Sequence, residues 1–293
     1  IMYEEDEIEL TRQVQVMLGR QHTSIIQLLN FSVHQVLGFS MSGYASLNER
    51  VAMVVCKKDA TVSLLEHIQE NYYSFTDNDF RLALMQITNA LMSVHRDGLV
   101  HRNIHPDAVH VKIRGDVKAL GETEDEDDNE DSEEEEEEEE GEGGGAGDRS
   151  VASQHSENTN SSSSLRNRPT YILQDFWFLH NPRKSGCEYS MGRADWGNAN
   201  TLPPEALGAN IISEKSDIWG LGISVYMWAT RGLALNVQDG NKFDFNVIAK
   251  NLPLKWGPWV LSLLRMCLER NPTYRASASD LYQFLVIAKP IHT

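Results

Sequence analysis

The sequence has few cysteines, no long apolar run and no excess of positive charge. Its three cysteines, Cys56, Cys187 and Cys267, lie far apart with no histidine cluster beside them. This spacing excludes a disulfide framework and a zinc module, and it favours a reducing location inside the cell, in the cytoplasm or the nucleus. The most apolar stretch, residues 218–229, is too short to cross a membrane, so we expect no membrane partner.

Negative charge is concentrated in one segment of the 293-residue chain. Of 43 acidic residues, 17 lie between Glu122 and Glu142, where there is no lysine or arginine, and the other 26 acids balance 26 bases. The net charge of −17 therefore belongs to this segment, and it disfavours direct binding of nucleic acid. Residues 122–168 contain almost nothing apolar to bury, which predicts a disordered acidic insert.

The remainder of the chain shows the periodicity of an α+β fold. Helical spacing of apolar residues predicts helices at 8–18, 62–70, 79–96, 216–230, 256–269 and 277–286. Short apolar runs separated by turn residues predict strands at 24–31, 35–41 and 49–56. Thr76 with Asp79 resembles a capping arrangement ahead of the helix at 79–96.

Five ordered motifs resemble those of protein kinases. Residues 101–108, HRNIHPDA, resemble the catalytic loop HRDLKPEN and follow an amphipathic helix, as that loop does. Residues 175–177, DFW, resemble the metal-binding DFG, residues 203–205, PPE, resemble APE, and residues 216–222, SDIWGLG, resemble the helix that follows. Residues 267–277 resemble the family's closing pattern. Order and spacing together identify the chain as similar to the protein kinase family.

The resemblance implies a protein-kinase-like fold with a mostly helical C-lobe preceded by part of the N-lobe. Residues 1–57 would form a partial N-lobe, and residues 58–121 the first part of the C-lobe with its catalytic-loop-like segment. The insert, residues 122–168, would separate this part from the second part of the C-lobe, residues 169–290. The given chain contains neither the strand with the family's ATP-binding lysine nor a glycine-rich phosphate loop.

Three loop positions have lost the residues that the family uses for phosphoryl transfer. Asn103 stands at the base position and cannot accept a proton, a loss of about 10²- to 10⁴-fold in rate. His105 replaces the loop lysine, and Ala108 replaces the metal-binding asparagine. Arg102 persists and retains the ability to bind a phosphate or carboxylate.

The same resemblance assigns the nucleotide-binding positions. Gln13 falls where the family has the glutamate of its lysine–glutamate ion pair, and Val55 falls in the hinge region. Asp175 is the one recognisable metal ligand, and Trp177 replaces the glycine that follows it. If residues 116–120 were the preceding strand, the metal-loop position would instead be Gly121. These changes imply no cofactor beyond weak binding of ATP with magnesium.

Residues that hold the lobe together are retained. The resemblance implies that Asp217 accepts backbone donors from the loop containing His101, and that Arg275 pairs with Glu205. A retained scaffold with lost chemistry is typical of a pseudokinase.

Three functional hypotheses follow. The first is a pseudokinase that acts as a signalling scaffold or regulator through protein partners, which are an active kinase or a basic protein bound by the acidic insert. The second is an active atypical serine/threonine kinase. The third is a helical adaptor unrelated to kinases, in which His101, Asp175 and Asp217 do not converge in space.

Overall fold

The computed structural model describes residues 11–12, 14–39, 46–57, 61–112, 168–176, 199–209, 211–235 and 244–289. These residues contain two antiparallel sheets. In the first sheet, β1 (Leu28–Phe39) pairs with β2 (Ser46–Cys56). In the second, β4 (Val109–Lys112) lies between β3 (Val62–Ser63) and β5 (Thr170–Leu173). The segment 11–12 and 14–17 before β1 is helical.

The strands of the first sheet are longer than expected. The prediction of separate strands at 24–31 and 35–41 is wrong, because β1 runs unbroken through the residues between them. Ser32 and Val33, in the expected break, pair with Met53 and Ala52 of β2. Antiparallel pairing adds ladder hydrogen bonds between the two strands, and it overrides the weak strand propensity of a polar residue.

Seven helices of the described residues carry most of the core. They are α1 (Leu64–Glu70), α2 (Asp77–Arg96), α3 (Pro204–Ala209), α4 (Glu214–Ala229), α5 (Phe245–Asn251), α6 (Pro258–Cys267) and α7 (Ala278–Ile287). α3 and α5 were not expected. Each buries a single residue and so shows no helical spacing of apolar residues, whereas the equally short α1 buries Leu64 and Ile68, four positions apart. A mixed fold with small antiparallel sheets is compatible with the predicted kinase-like class.

The start of α2 is set by the capping box expected from the sequence. The Thr76 hydroxyl accepts from the backbone N–H of Asp79 at 3.1 Å, and the Asp79 carboxylate accepts from the backbone N–H of Thr76 at 2.9 Å. These bonds satisfy donors that an uncapped helix leaves without partners. α2 therefore begins at Asp77 and runs for 20 residues to Arg96, where its last turn reaches the candidate site.

α4 lies at the centre of the core, since its side chains are buried on every face rather than along one stripe. Trp219 and Trp228 are among the largest fully buried side chains. The Trp228 indole N–H donates to the Pro106 carbonyl at 3.0 Å. A Cβ at Gly220 would lie 2.8 Å from the Ile104 carbonyl oxygen, so only glycine lets the loop approach α4 this closely.

β5, which ends just before Asp175, is hydrogen-bonded to the segment before β1. Its Leu173 donates to the Ser24 carbonyl and accepts from the Ile26 N–H, both at 2.9 Å.

The described parts before residue 113 and after residue 168 form one compact unit. Of the predicted insert only Arg168 is described, so the predicted domain boundaries stay predictions. None of the helices in the described ranges has the length and apolar character needed to cross a bilayer.

Candidate functional site

The loop that follows α2 is anchored to a buried carboxylate of α4. The backbone N–H of His101 donates to Oδ2 of Asp217, and that of Arg102 donates to Oδ1, both at 2.8 Å. Asp217 is 1% exposed, so these two donors replace the water that would otherwise solvate its charge. One buried acid therefore fixes the course of the loop.

His95 completes the set of donors around this carboxylate. Its Nε2 lies 2.8 Å from Oδ2 of Asp217, and the ring is nearly buried at the last turn of α2. His95 was not among the site residues predicted from the sequence. The sequence feature that could have indicated it is a polar side chain on the apolar face of α2, where Leu91 and Val94 are also buried. A polar group on a buried helix face requires a partner, and here the partner is the anchoring acid.

His101 links the loop to the segment that holds Asp175. Its Nε2 donates to the Gln174 carbonyl at 2.7 Å, and its Nδ1 accepts from the Asn103 N–H at 3.2 Å. One nitrogen donates and the other accepts, so the ring is the neutral Nε2–H tautomer. Complete burial lowers the pKa of His101, against the opposing effect of Asp217. The ring also packs edge-on against Phe176, with centroids 4.4 Å apart.

His105 and Asp175 contact each other in the middle of the site. Nε2 of His105 lies 3.1 Å from Oδ2 of Asp175, and the two side chains are 16% and 34% exposed. The structure therefore brings together the positions of the loop lysine and the metal ligand. The contact engages one carboxylate oxygen of Asp175 with a protein side chain.

Two residues of the site have left-handed backbone. Arg102 has φ 69° and Asp175 has φ 62°, a conformation that costs about 1–3 kcal/mol for residues other than glycine. The hydrogen bond from the Arg102 N–H to Asp217 offsets part of this cost. Such outliers persist where the surroundings fix the backbone, so the fold preserves the loop geometry.

Asn103 and Ala108 are both buried in the loop. Asn103 is 8% exposed, and its side chain is an amide with no acidic group. Ala108 is fully buried, its N–H donates to the His105 carbonyl, and its carbonyl accepts from the Gln174 N–H at 2.8 Å. A methyl side chain has no atom that can bind a metal. Within the described ranges, no group of three His, Cys, Asp or Glu side chains is placed to hold a metal ion.

Glu205 of α3 and Arg275 form a bidentate ion pair. The two guanidinium nitrogens of Arg275 donate to the two carboxylate oxygens of Glu205 at 2.6 and 3.0 Å. Arg275 is 1% exposed and also donates to the Glu269, Lys215 and Arg270 carbonyls. Each of the three guanidinium nitrogens therefore has an acceptor, as a buried cation requires. The pair connects α3 to the segment before α7.

Of the two N-terminal site positions, Gln13 and Val55, the structure describes only Val55. Val55 lies on β2, opposite Asn30, and its side chain is 46% exposed. Burial, and then the charge of Asp175, raise the pKa of the thiol of the adjacent Cys56. Gln13 and Trp177 lie outside the described residues, as does the alternative metal-loop position Gly121.

Comparison with known proteins gives serine/threonine kinases as relatives. The chain is 19% identical over 290 residues to an Aurora kinase of Schizosaccharomyces pombe, covering 97% of this chain and 60% of that protein. It is 23% identical over 222 residues to the serine/threonine-protein kinase PKZ1 of Phytophthora infestans, covering 72% and 45%. It is 31% identical over 88 residues to the serine/threonine-protein kinase Nek4 of Mus musculus, covering 29% and 11%. No protein-family model matches the chain.

The geometry and the relatives define the class together. His101, Asp175 and Asp217 converge, which is contrary to the expectation of the adaptor hypothesis. The chain carries a protein-kinase-like domain. It spans between about a tenth and three fifths of these relatives' own lengths.

Proposed function

We propose that this kinase-like domain is a pseudokinase, which transfers no phosphate and acts as a scaffold or regulator through contacts with other proteins. The observation that carries the proposal is the composition of the loop, where the base position holds the amide of Asn103 within a well-ordered hydrogen-bonded frame. An amide orients a hydroxyl but does not take its proton, and this removes about 10²- to 10⁴-fold of the rate.

The contact between His105 and Asp175 supports the same proposal. Phosphoryl transfer requires cations around the transferred group and a carboxylate that is available to a metal ion. Here one oxygen of Asp175 is 3.1 Å from the imidazole of His105. A metal ion bound at Asp175 competes with this contact, so metal-dependent nucleotide binding is weakened.

The retained framework explains why the chain still has a use for this fold. Asp217 and the Glu205–Arg275 pair hold the loop, α3 and α4 in place. A rigid lobe presents fixed surfaces to partners, and this use of the fold is independent of chemistry at Asn103. We place this function in the cytoplasm or the nucleus, where kinase partners are found.

The acidic segment from Glu122 to Glu142 gives this scaffold a second kind of contact. Its 17 acids without a base suit a basic protein partner, held by attraction that weakens as salt is raised. Deleting residues 122–142 is expected to abolish binding of a lysine-rich test peptide. Equal binding by the deleted protein would overturn this part of the proposal.

Nucleotide binding tests the proposal at the site. The full-length protein is titrated with ATP, with and without magnesium or manganese, and its melting temperature is followed. A ligand of the folded state must raise that temperature, and we expect a shift below about 1 °C at about 1 mM ATP. A larger metal-dependent shift that Asp175→Ala abolishes would favour the alternative, an active atypical serine/threonine kinase. The observation behind that alternative is Asp175 itself, which lies beside the loop.

A further inference from the structure

A cleft with two guanidinium groups opens beside the C-terminal end of α2. Its walls include Arg20 and Val16 from the segment before β1, and Arg96 and Asp97 from the end of α2. None of its lining residues belongs to the loop 101–108. The cleft is therefore a site distinct from the one described above.

Arg20 is fixed in the wall of this cleft. Its Nη1 donates to the Ser93 hydroxyl at 2.9 Å, and its Nη2 forms an ion pair with Asp97. The Arg20 side chain is 11% exposed, so its orientation is determined by the fold. The one carboxylate among the lining residues, that of Asp97, is already engaged by this cation.

Arg96 adds a second positive charge with no matching acid. Arg96 is exposed, and within the described ranges its guanidinium takes part in no hydrogen bond or ion pair. It lies close enough to Arg20 to contribute, after burial, to the lowering of that group's pKa. Two cations beside one carboxylate leave the cleft with net positive charge.

The histidine in the same wall contributes no further cation near neutral pH. Nδ1 of His22 accepts from the Ser24 N–H at 3.1 Å, and Nε2 lies 3.3 Å from the amide nitrogen of Asn89. Burial, and then the charges of Arg20 and Arg96, lower the pKa of His22. The charge of the cleft is therefore that of two arginines and one aspartate.

An apolar wall faces these charges. Val16 is 43% exposed and lines the cleft together with the half-buried Leu18. A cleft with a cationic side and an apolar side matches a ligand that has an acidic group beside an apolar one. A free inorganic anion would use only the cationic side.

We propose that this cleft binds an acidic peptide segment of a partner protein, with a carboxylate at Arg96 and Arg20 and an apolar side chain against Val16 and Leu18. Charge complementarity selects the acidic residue, and the apolar wall selects a peptide over a small anion. This surface is independent of phosphoryl transfer, so the inference stands or falls separately from the proposed function.

The net charge of −17 opposes an acidic ligand only at long range. At physiological ionic strength the screening length is about 8 Å, so an acidic ligand in the cleft responds mainly to the two arginines. The remainder of the chain, outside residues 122–142, has equal numbers of acids and bases. Binding is therefore expected to depend on the local site.

The test uses fluorescence polarisation with the full-length protein. The probe is a labelled peptide of sequence Leu-Glu-Glu-Leu-Glu-Glu, and its counterpart has glutamine in place of glutamate. The Arg96→Glu variant is expected to bind the acidic peptide at least about tenfold more weakly. Lys250→Glu on α5 is the matched control, since it makes the same charge change at an exposed lysine and is expected to bind as the wild type does.

A second variant tests the apolar wall. Val16→Ser is expected to weaken binding of the peptide about threefold to tenfold, since an exposed side chain loses part of its contact area. The proposal is overturned if the acidic and glutamine peptides bind equally, if Arg96→Glu binds as tightly as the wild type, or if Lys250→Glu loses as much affinity. Unchanged melting temperatures of the variants show that lost binding is not lost folding.

Discussion

Nε2 of His105 lies 3.1 Å from Oδ2 of Asp175, so the residue at the position of the loop lysine contacts the residue at the metal-ligand position. In a phosphotransferase these two groups would face the phosphates and the metal. Here they face each other. The contacts that hold the loop and α3 in place can be tested through stability, and the site through phosphate transfer.

The anchoring acid of the loop is expected to contribute strongly to stability. Asp217→Asn replaces a buried acceptor of three donors by an amide whose NH2 group opposes a backbone N–H. We expect a loss of about 2–4 kcal/mol in the free energy of unfolding, measured by urea denaturation. Asp107→Asn, at an exposed loop position, is the control and should change stability by less than about 0.5 kcal/mol. Equal effects of the two substitutions would refute the anchoring role.

The Glu205–Arg275 pair is expected to require the planar guanidinium. Arg275→Lys keeps the charge but loses the bidentate geometry and several carbonyl contacts. The expected cost is about 2–4 kcal/mol, because a buried carboxylate is left partly unsatisfied. Arg270→Lys is the exposed comparison. If both variants melt at the same temperature, the pair has no structural importance.

Alanine is expected to have opposite effects on stability at two glycines, one where the loop closely approaches α4 and one in open space. At Gly220 a Cβ would lie 2.8 Å from the Ile104 carbonyl oxygen, so Gly220→Ala should destabilise the protein by about 1–3 kcal/mol. At Gly208 in α3 a Cβ meets nothing within 4 Å, so Gly208→Ala should be neutral or stabilise by up to about 1 kcal/mol. Thermal unfolding of the two variants measures the difference. A stable Gly220→Ala protein would contradict the packing described here.

The buried histidine predicts a dependence of stability on pH. Burial lowers the pKa of His101 below the ordinary value of 6.5, so the unfolded state binds its proton more readily than the folded state. The contribution of neutral His101 to the free energy of unfolding is therefore complete above pH 6.5, the pKa of the unfolded state. It is lost as the pH falls from 6.5 towards the lower pKa of the folded state. His22 and His67 have pKa values shifted in the same direction, chiefly by burial.

Denaturation by urea at several pH values between about 7.5 and 5 measures this effect, in a range where most carboxylates stay ionised. The free energy of unfolding should fall steadily on acidification. A constant or rising value over this range would show that the folded protein keeps its histidines protonated.

Much of the helical framework could be predicted from the sequence, because α2 has a clear amphipathic period and the start of α4 matches a motif. The Thr76–Asp79 cap was readable because it depends on two residues only three positions apart. α3 and α5 each bury a single residue and so show no helical period, and the continuity of β1 depends on pairing with β2, which lies outside any local window.

The candidate site was predictable to the extent that it follows motif order. The sequence indicated Asp217 as an acceptor and Arg275 as the partner of Glu205, and the contacts have that geometry. It gave no indication of the His95–Asp217 contact or of His105 facing Asp175, because no motif pairs these residues. Such contacts arise from packing rather than from local propensity.

The most direct test of the central claim is a phosphate-transfer assay with labelled ATP and the full-length protein. Magnesium or manganese is supplied, and a generic basic protein serves as substrate. We predict that the wild type incorporates no more label than the Asp175→Ala variant, since the amide of Asn103 cannot accept the proton of an attacking hydroxyl. Transfer by the wild type that Asp175→Ala abolishes would contradict the account and establish an active kinase.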